Sequence, residues 1–316
     1  MELIRGKHNL GDRHRGCVAT IGNFDGVHLG HQAVFEALKR KAGAHGLPAT
    51  VILFEPQPME FFHPDQAPAR LTRLREKLGQ IRACGIDRVL LLEFNRSLAE
   101  MQATAFIQKV LVEGLGIRHL YVGDDFRFGA GRAGDFGLLQ SAGQKYGFGV
   151  ESMDTVCHEE CRISSTRIRE ALLAGDLATA EACLGRPYQL LGRVSHGHKR
   201  GRTIGFPTLN IPLRRRVSPL RGVFAVTVQG IEAAALPGVA NLGTRPTVSG
   251  GNRPLLEVHL FDFQGQVYGA HVGVTFVRYI RDERKFESFD QLRHQIELDA
   301  AQARRILQLE PVAATL

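Results

Sequence analysis

The stretch VATIGNFDGVHLGH, residues 18–31, decides the architecture of the first half of this chain. It opens on four apolar or β-branched residues, passes through a glycine-rich turn, and leads into His31 to Lys41, where apolar residues recur three and four positions apart. Strand, tight turn, then helix is the opening unit of a parallel sheet. The same turn is suited to anions. Free backbone N–H groups and the positive end of a helix dipole meet at His28 and His31. Gly26 and Gly30 let a bulky polyphosphate approach the backbone without a Cβ in the way, and the two imidazoles can donate hydrogen bonds to phosphoryl oxygens.

Working outward, Thr50–Phe54, Val89–Leu92 and His119–Val122 read as further buried strands. Leu74 to Cys84 and Leu98 to Glu113 read as helices between them. This alternation predicts a doubly wound, Rossmann-like parallel sheet with helices on both faces, which binds ligands beyond the carboxyl ends of its strands. The character changes at Gly185-Arg186-Pro187, after a short helix capped by Asp176. Beyond it, Tyr188–Val194, Val223–Val228, Leu255–Leu260 and Val272–Val277 are strand-like and separated by glycine and proline turns, as in an antiparallel β-barrel. A last helix follows Ser288, which forms a capping box with Gln291. The expected domains are therefore 1–184 and 185–316.

Composition agrees with two soluble domains: 316 residues, 44% hydrophobic and 23% charged. The first sixteen residues lack the apolar run of a signal peptide, and a cytoplasmic protein without a membrane span is the simplest reading. Residues 1–185 hold 22 basic and 22 acidic side chains, so the net charge of +8 falls on the second half, where 18 − 10 = +8. Such a surplus suits a polyphosphate or a nucleic acid. Five scattered cysteines are not a disulfide framework, and Cys157 and Cys161 lack further ligands at zinc-site spacing.

Two aromatic segments stand at strand ends in the first half. They are Phe54-Glu55-Pro56-Gln57-Pro58-Met59-Glu60-Phe61-Phe62 and Val122-Gly123-Asp124-Asp125-Phe126-Arg127-Phe128-Gly129. Part of these rings belong to the core; the rest would form an apolar slot with polar edges for a flat heteroaromatic ring. In the second half, Gly197, Gly201 and Gly205 are interleaved with Lys199, Arg200 and Arg202 in a basic flap that is not a Walker loop. Phe206 and Pro207 follow. Thr208 and Asn210 then lie on one face of an extended segment, where two side-chain oxygens suit Mg²⁺. Alternation places Glu257 on the opposite face from Leu256 and Val258, where a strand glutamate ordinarily just faces solvent; it is the best-placed candidate should the barrel need a general base.

GNFDGVHLGH resembles the HxGH signature of the nucleotidyltransferase superfamily, and ISSTRIR, residues 163–169, resembles that superfamily's second signature. Alone, Ser165 and Thr166 would be read as helix caps. GRPY, GFPTLN, GVANLGTRPTVSGG and LEVHLFDF resemble the riboflavin kinase module. In that order the whole chain looks like the bifunctional bacterial riboflavin kinase and FAD synthetase family. The resemblance implies ATP-dependent phosphorylation of riboflavin to FMN, then adenylylation of FMN to FAD with release of pyrophosphate. It implies that His28 and His31 act with Gly22, Phe24, Asp25, Gly26, Gly30, Arg162, Ser164, Ser165, Thr166 and Arg169 on the triphosphate. Phe54, Pro56, Pro58, Phe62, Asp124, Phe126 and Phe128 would seat the flavin. In the kinase half, Gly197, Lys199, Gly201, Arg202, Gly205, Phe206 and Pro207 would hold ATP, Thr208 and Asn210 Mg²⁺, and Glu257 would take the hydroxyl proton.

Two other readings stand beside this one at the level of sequence. A small basic barrel can bind nucleic acid, although Trp is absent and only five Tyr are present to stack bases. A nucleotidyltransferase can also act on a phosphopantetheine or cytidylyl acceptor, which leaves the second domain without a task. The expected partners are riboflavin, FMN and ATP, with no nucleic acid and no membrane. The sequence leaves the oligomeric state open between a monomer and a weakly self-associating chain.

Overall fold

A computed structural model describes residues 1–123, 125–153, 156–159, 161–196, 206–246 and 252–309. Contacts between Cα atoms divide the chain into two units, Met1–Pro68 with Thr72–Ser164 and Ala69–Leu71 with Ser165–Leu316.

The first unit is built on six parallel strands: β1 (Glu2–Arg5), β2 (Cys17–Ile21), β3 (Ala49–Glu55), β4 (Arg88–Glu93), β5 (Ile117–Val122) and β6 (Gly149–Ser152). They lie in the order β1-β4-β3-β2-β5-β6. The direction of winding reverses between β2 and β5, so the loop leaving the carboxyl end of β2 stands at the switch point where such sheets bind ligands. That loop is GNFDGVHLGH. Both faces of the sheet are covered, which is why its central strands β2, β3 and β4 are mostly apolar and buried. Ala19, Ile21, Ile52, Leu90 and Leu120 pack on one side with Phe106, Ile107 and Leu139. Val18, Val51, Leu53, Val89 and Leu91 pack on the other with Phe35, Leu38 and Ile81. The latter three come from α1 (Leu29–His45) and α3 (Leu74–Ala83), between which lies the short α2 (Pro58–Phe62).

The helix expected over Leu98–Glu113 is broken. The chain forms α4 (Arg96–Ala99), then α5 (Ala103–Phe106) running into a π-helical turn over Ile107–Val112. Met101 lies outside both helices, and its carbonyl accepts a hydrogen bond from the Ala130 N–H at 2.8 Å, a tertiary bond that periodicity cannot report. Helix α6 (Phe136–Tyr146) and a two-stranded ribbon, β7 (Cys157–His158) with β8 (Cys161–Arg162), complete the unit. In the ribbon Cys157 opposes Arg162 and His158 opposes Cys161, so the two cysteines point to opposite faces. No cluster of three metal-ligating side chains occurs among the described residues.

The second unit begins with α7 (Ser165–Leu173) and α8 (Leu177–Leu184); the Asp176 carboxylate caps α8 by accepting from Thr179 N–H at 3.0 Å. Six antiparallel strands follow: β9 (Gln189–Arg193), β10 (Leu209–Pro212), β11 (Gly222–Gln229), β12 (Leu236–Pro246), β13 (Asn252–Leu260) and β14 (His271–Arg281). Their order is β10-β13-β12-β11-β14-β9. A bridge between Ser195 and Asn210 brings the two edges together, so the sheet closes into the expected barrel. β12 is central to the barrel, yet it is poorly marked in the sequence, because Pro237, Gly238, Gly243 and Pro246 are weak strand formers.

Helix α9 (Phe289–Ile306) is capped by Ser288, whose hydroxyl accepts from Gln291 N–H at 3.2 Å. Ala300 and Ala303 pack on Val223, Ala225, Val239 and Phe261 on the outer face of the barrel. A fork-to-carboxylate ion pair fastens the helix: Arg281 Nε and Nη2 donate to the two Asp299 oxygens at 2.8 and 2.6 Å, with only 15% and 6% of the side chains exposed. Removing one partner strands a buried charge, so Asp299→Ala is expected to lower the unfolding free energy of this unit by about 3–5 kcal/mol. Urea unfolding would measure it. The R281M/D299L double variant recovers most of the loss, because packed apolar side chains replace such a pair at little cost.

Candidate active sites in the two units

In the first unit the chemistry begins at the carboxyl end of β2. Phe24, Gly26 and Val27 all have positive φ, 44°, 84° and 43°. Glycine adopts that conformation freely, but Phe and Val do so under strain, which persists only where surrounding structure enforces it. The enforcement is visible. Asp25 is 3% exposed and its Oδ1 accepts from both the N–H and the hydroxyl of Thr72, at 3.0 and 3.1 Å. The same hydroxyl accepts from Gly26 N–H at 3.0 Å, and the fully buried Lys77 ammonium donates to the Asn23 carbonyl. Phe24 is buried against Phe35 and edge-on to His31. The side chains of Phe24 and Asp25 thus shape the turn from inside the fold.

The turn delivers His28 to the N-cap of α1. Its Nδ1 accepts from the His31 N–H at 3.3 Å, so the neutral ring carries its proton on Nε2, as a donor. The His28 and His31 rings stack at 3.5 Å and 19°. Burial first, then the neighbouring His28 and Lys77, hold His31 well below the usual histidine range. Both imidazoles can therefore serve as neutral donors at a helix N-terminus. Ile163, where ISSTRIR begins, lies beside them: its carbonyl is 3.8 Å from where a Gly30 Cβ would stand. Arg162 and Ser164 belong to this unit, whereas Ser165, Thr166 and Arg169 fall on α7 in the other, where Arg169 Nε donates to the Ala69 carbonyl at 2.6 Å.

The aromatic segments meet at the strand ends. Phe94, just past β4, stands edge-on to Phe54, Phe61 and Phe62 at 5.8, 5.5 and 5.7 Å. Phe54 reaches Phe106, which contacts Phe128, and Phe128 is stacked on Phe126 at 5.5 Å. Phe128 is 7% exposed and belongs to the core behind Phe126, while Phe62 is 54% exposed. Pro56 follows a cis peptide, Pro58 opens α2, and Asp124 lies outside the described residues. Phe94 and Lys77 escaped the sequence reading. The cue for Lys77 was a lysine on the Leu74, Leu78, Ile81 stripe of α3; for Phe94 there was none beyond its place after a strand.

In the second unit Asn210 on β10 is directly opposite Glu257 on β13. Leu256 and Val258 are fully buried, so Glu257 points outward and is half-buried. Asn210 is 8% exposed, and its Nδ2 donates to the Thr208 carbonyl at 3.4 Å, which leaves Oδ1 as the acceptor end. His259, two residues beyond Glu257, holds the Pro207 carbonyl at 3.0 Å and meets the Phe206 ring edge-on at 5.1 Å. The segment that carries Thr208 into β10 is thus anchored by His259 of β13. Side-chain oxygens of Thr208 and Asn210 are hard donors of the kind Mg²⁺ takes. Gly197, Lys199, Gly201, Arg202 and Gly205 lie outside the described residues.

The FAD synthetase family model matches residues 11–167, and the riboflavin kinase family model matches residues 184–307. The bifunctional riboflavin kinase/FMN adenylyltransferase of Escherichia coli (strain K12) is 54% identical over 310 residues, which is 98% of this chain and 99% of the relative. The protein of the same description from Pseudomonas fluorescens is 50% identical over 97% of this chain and 98% of its own. A solved Streptococcus pneumoniae structure, described as a macrolide-efflux protein, superposes with a TM-score of 0.81 at 32% identity, over 96% of this chain and 99% of its own. Among the described residues of this chain no helix is long and apolar enough to cross a membrane.

Proposed function

Since the chain belongs to the bifunctional riboflavin kinase/FMN adenylyltransferase family, we propose that FMN adenylylation is carried by the His28 and His31 turn and riboflavin phosphorylation by the Asn210–Glu257 row. The observation that carries the division is the register itself: an amide oxygen and a carboxylate face each other across two barrel strands, in a unit that contains neither histidine of the turn.

In the kinase half the ribityl 5′-hydroxyl of riboflavin attacks the γ-phosphorus of ATP and ADP departs. Glu257 accepts the hydroxyl proton as the new O–P bond forms. Thr208 and Asn210 would hold Mg²⁺, whose charge neutralises the phosphates. His259 keeps Pro207 and Thr208 in place from the neighbouring strand. Positioning and charge neutralisation dominate in phosphoryl transfer, so the anchoring of this strand matters beside the base.

In the other half a phosphate oxygen of FMN attacks the α-phosphorus of a second ATP, and pyrophosphate leaves. The substrate supplies its own nucleophile, so the protein need only bind, align and stabilise charge. His28 Nε2–H, the His31 ring and the first N–H groups of α1 face that charge, and Gly22, Gly26 and Gly30 admit the phosphates to the backbone. Roles for Ser165, Thr166 and Arg169 rest on the resemblance alone. Phe54, Phe62 and Phe126, with Phe94 and Phe128 behind them, form the platform for the isoalloxazine.

Incubating the purified protein with riboflavin, ATP and Mg²⁺ and separating the flavins by chromatography tests the reading; FMN and then FAD should accumulate. Phe94→Ala should raise the KM for FMN in adenylylation by about 3- to 10-fold, the worth of one aromatic contact. The KM for riboflavin in the kinase reaction should stay unchanged. Equal shifts in both would remove Phe94 from the platform.

A further inference from the structure

Glu257 has a second neighbour. The pairing that sets Asn210 opposite it on one side sets Asn241 of β12 opposite it on the other. The row continues from Asn241 to Val223 of β11, which packs under α9 on the outer face of the barrel. Amide, carboxylate and amide therefore stand side by side on that face, with directly opposed Cβ atoms about 4.5–5.5 Å apart.

The surroundings of Asn241 single it out. It is half-buried in the middle of a central strand, where asparagine is a poor strand former. Its outward neighbour in one direction, Val239, belongs to the apolar patch under α9. In the other direction stands Gly243, whose missing side chain leaves room for the Glu283 carboxylate, with Oε1 2.0 Å from where a Cβ would lie. An apolar side chain at 241 would extend the packed patch toward Val223. A polar residue in its place breaks the local rule, and such breaks concentrate where function requires them.

We infer that Asn241 is a positioning residue of the kinase reaction, its Nδ2–H donating to one oxygen of Glu257 so that the other oxygen is turned to the substrate hydroxyl. The inference rests on the reading of Glu257 as proton acceptor. An amide suits this task better than its alternatives: a lysine or arginine would depress the basicity of the carboxylate, and an aspartate would repel it. Other ionisable groups on this face, among the described residues, include Glu283 over Gly243, His259 two positions along β13, Arg278 opposite Ala225, Arg304 over the Phe261 ring, and Arg281 at the far end of the row, already engaged by Asp299.

The test uses the full-length enzyme and its two activities. Asn241→Ala should lower kcat for FMN formation by about 10- to 100-fold, the usual loss when a donor to a charged group is removed. Because the donor only orients Glu257, the KM values for riboflavin and ATP should stay unchanged while kcat falls. Asn241→Asp keeps the shape but has no donor and adds a like charge, so it should not recover kcat, whereas Asn241→Gln, which keeps the amide, should recover part of it. Adenylylation of added FMN should be unchanged in every variant, and an unchanged urea unfolding curve reports that the barrel is folded. Three results overturn the inference: full kinase activity in Asn241→Ala, a loss that falls on KM and not on kcat, or an altered Mg²⁺ requirement that would make Asn241 a metal ligand. A fully active Glu257→Gln enzyme overturns the underlying reading of the base; an inactive Glu257→Gln beside a fully active Asn241→Ala overturns only the role of Asn241.

Discussion

An enzyme with His28 and His31 both replaced by alanine is expected to make FMN at the normal rate and to stop there. The two rings stack at the N-terminus of α1, and His28 holds its proton on Nε2 because its other nitrogen accepts from the His31 backbone. Losing one donor aimed at transition-state charge costs about 10²- to 10³-fold, and on the reading proposed above losing both removes the donors that meet the charge developing at the α-phosphate. FAD formation from added FMN should fall at least about 10³-fold. Burial, with His28 and Lys77, keeps His31 neutral well below the ordinary histidine range. The wild-type adenylylation rate should therefore not decline between about pH 6.5 and 8 through His31, since deprotonation is already complete there. A double-alanine enzyme that still makes FAD would remove the histidines from the site. A rate that tracks a histidine titration in that window would assign them the imidazolium form instead.

The complementary result is expected at Glu257. Glu257→Ala should reduce FMN formation from riboflavin by about 10²- to 10⁴-fold, the range for loss of a positioned general base. Adenylylation of added FMN should persist, because the carboxylate lies in a barrel that does not include the histidine turn. Chromatography of the flavins, once from riboflavin and once from FMN, separates the two. Loss of both activities would refute the division of labour; an active kinase would mean that the substrate hydroxyl needs no base from this strand.

Both variants alter residues that stood out in the sequence, and the contrast with Asn241 and Phe94 shows why. His28 and His31 belong to a local pattern, a strand, a turn and a helix start within fourteen residues, whose meaning depends on neighbours in the chain. Glu257 could be placed outward by alternation along its own strand. Asn241 could not be placed by any local rule, since β12 is disguised by prolines and glycines and its partner is sixteen residues away. Phe94 drew no notice for the same reason: it becomes the hub of an aromatic cluster only once β3 and β4 lie side by side. The broken helix near Met101 is a third instance, decided by a hydrogen bond from residue 130.

By itself, then, the sequence determined the layered first half, the change to a barrel, the capped helices and the glycine-rich turn before α1, because each follows from periodicity and backbone preference over a few residues. Tertiary structure alone decided which strand stands beside which: hence the row Asn210, Glu257, Asn241, the aromatic platform, and the burial of Lys77 beneath the turn. Register between strands is chosen by how whole faces pack together, and that free energy is shared among residues far apart in the chain.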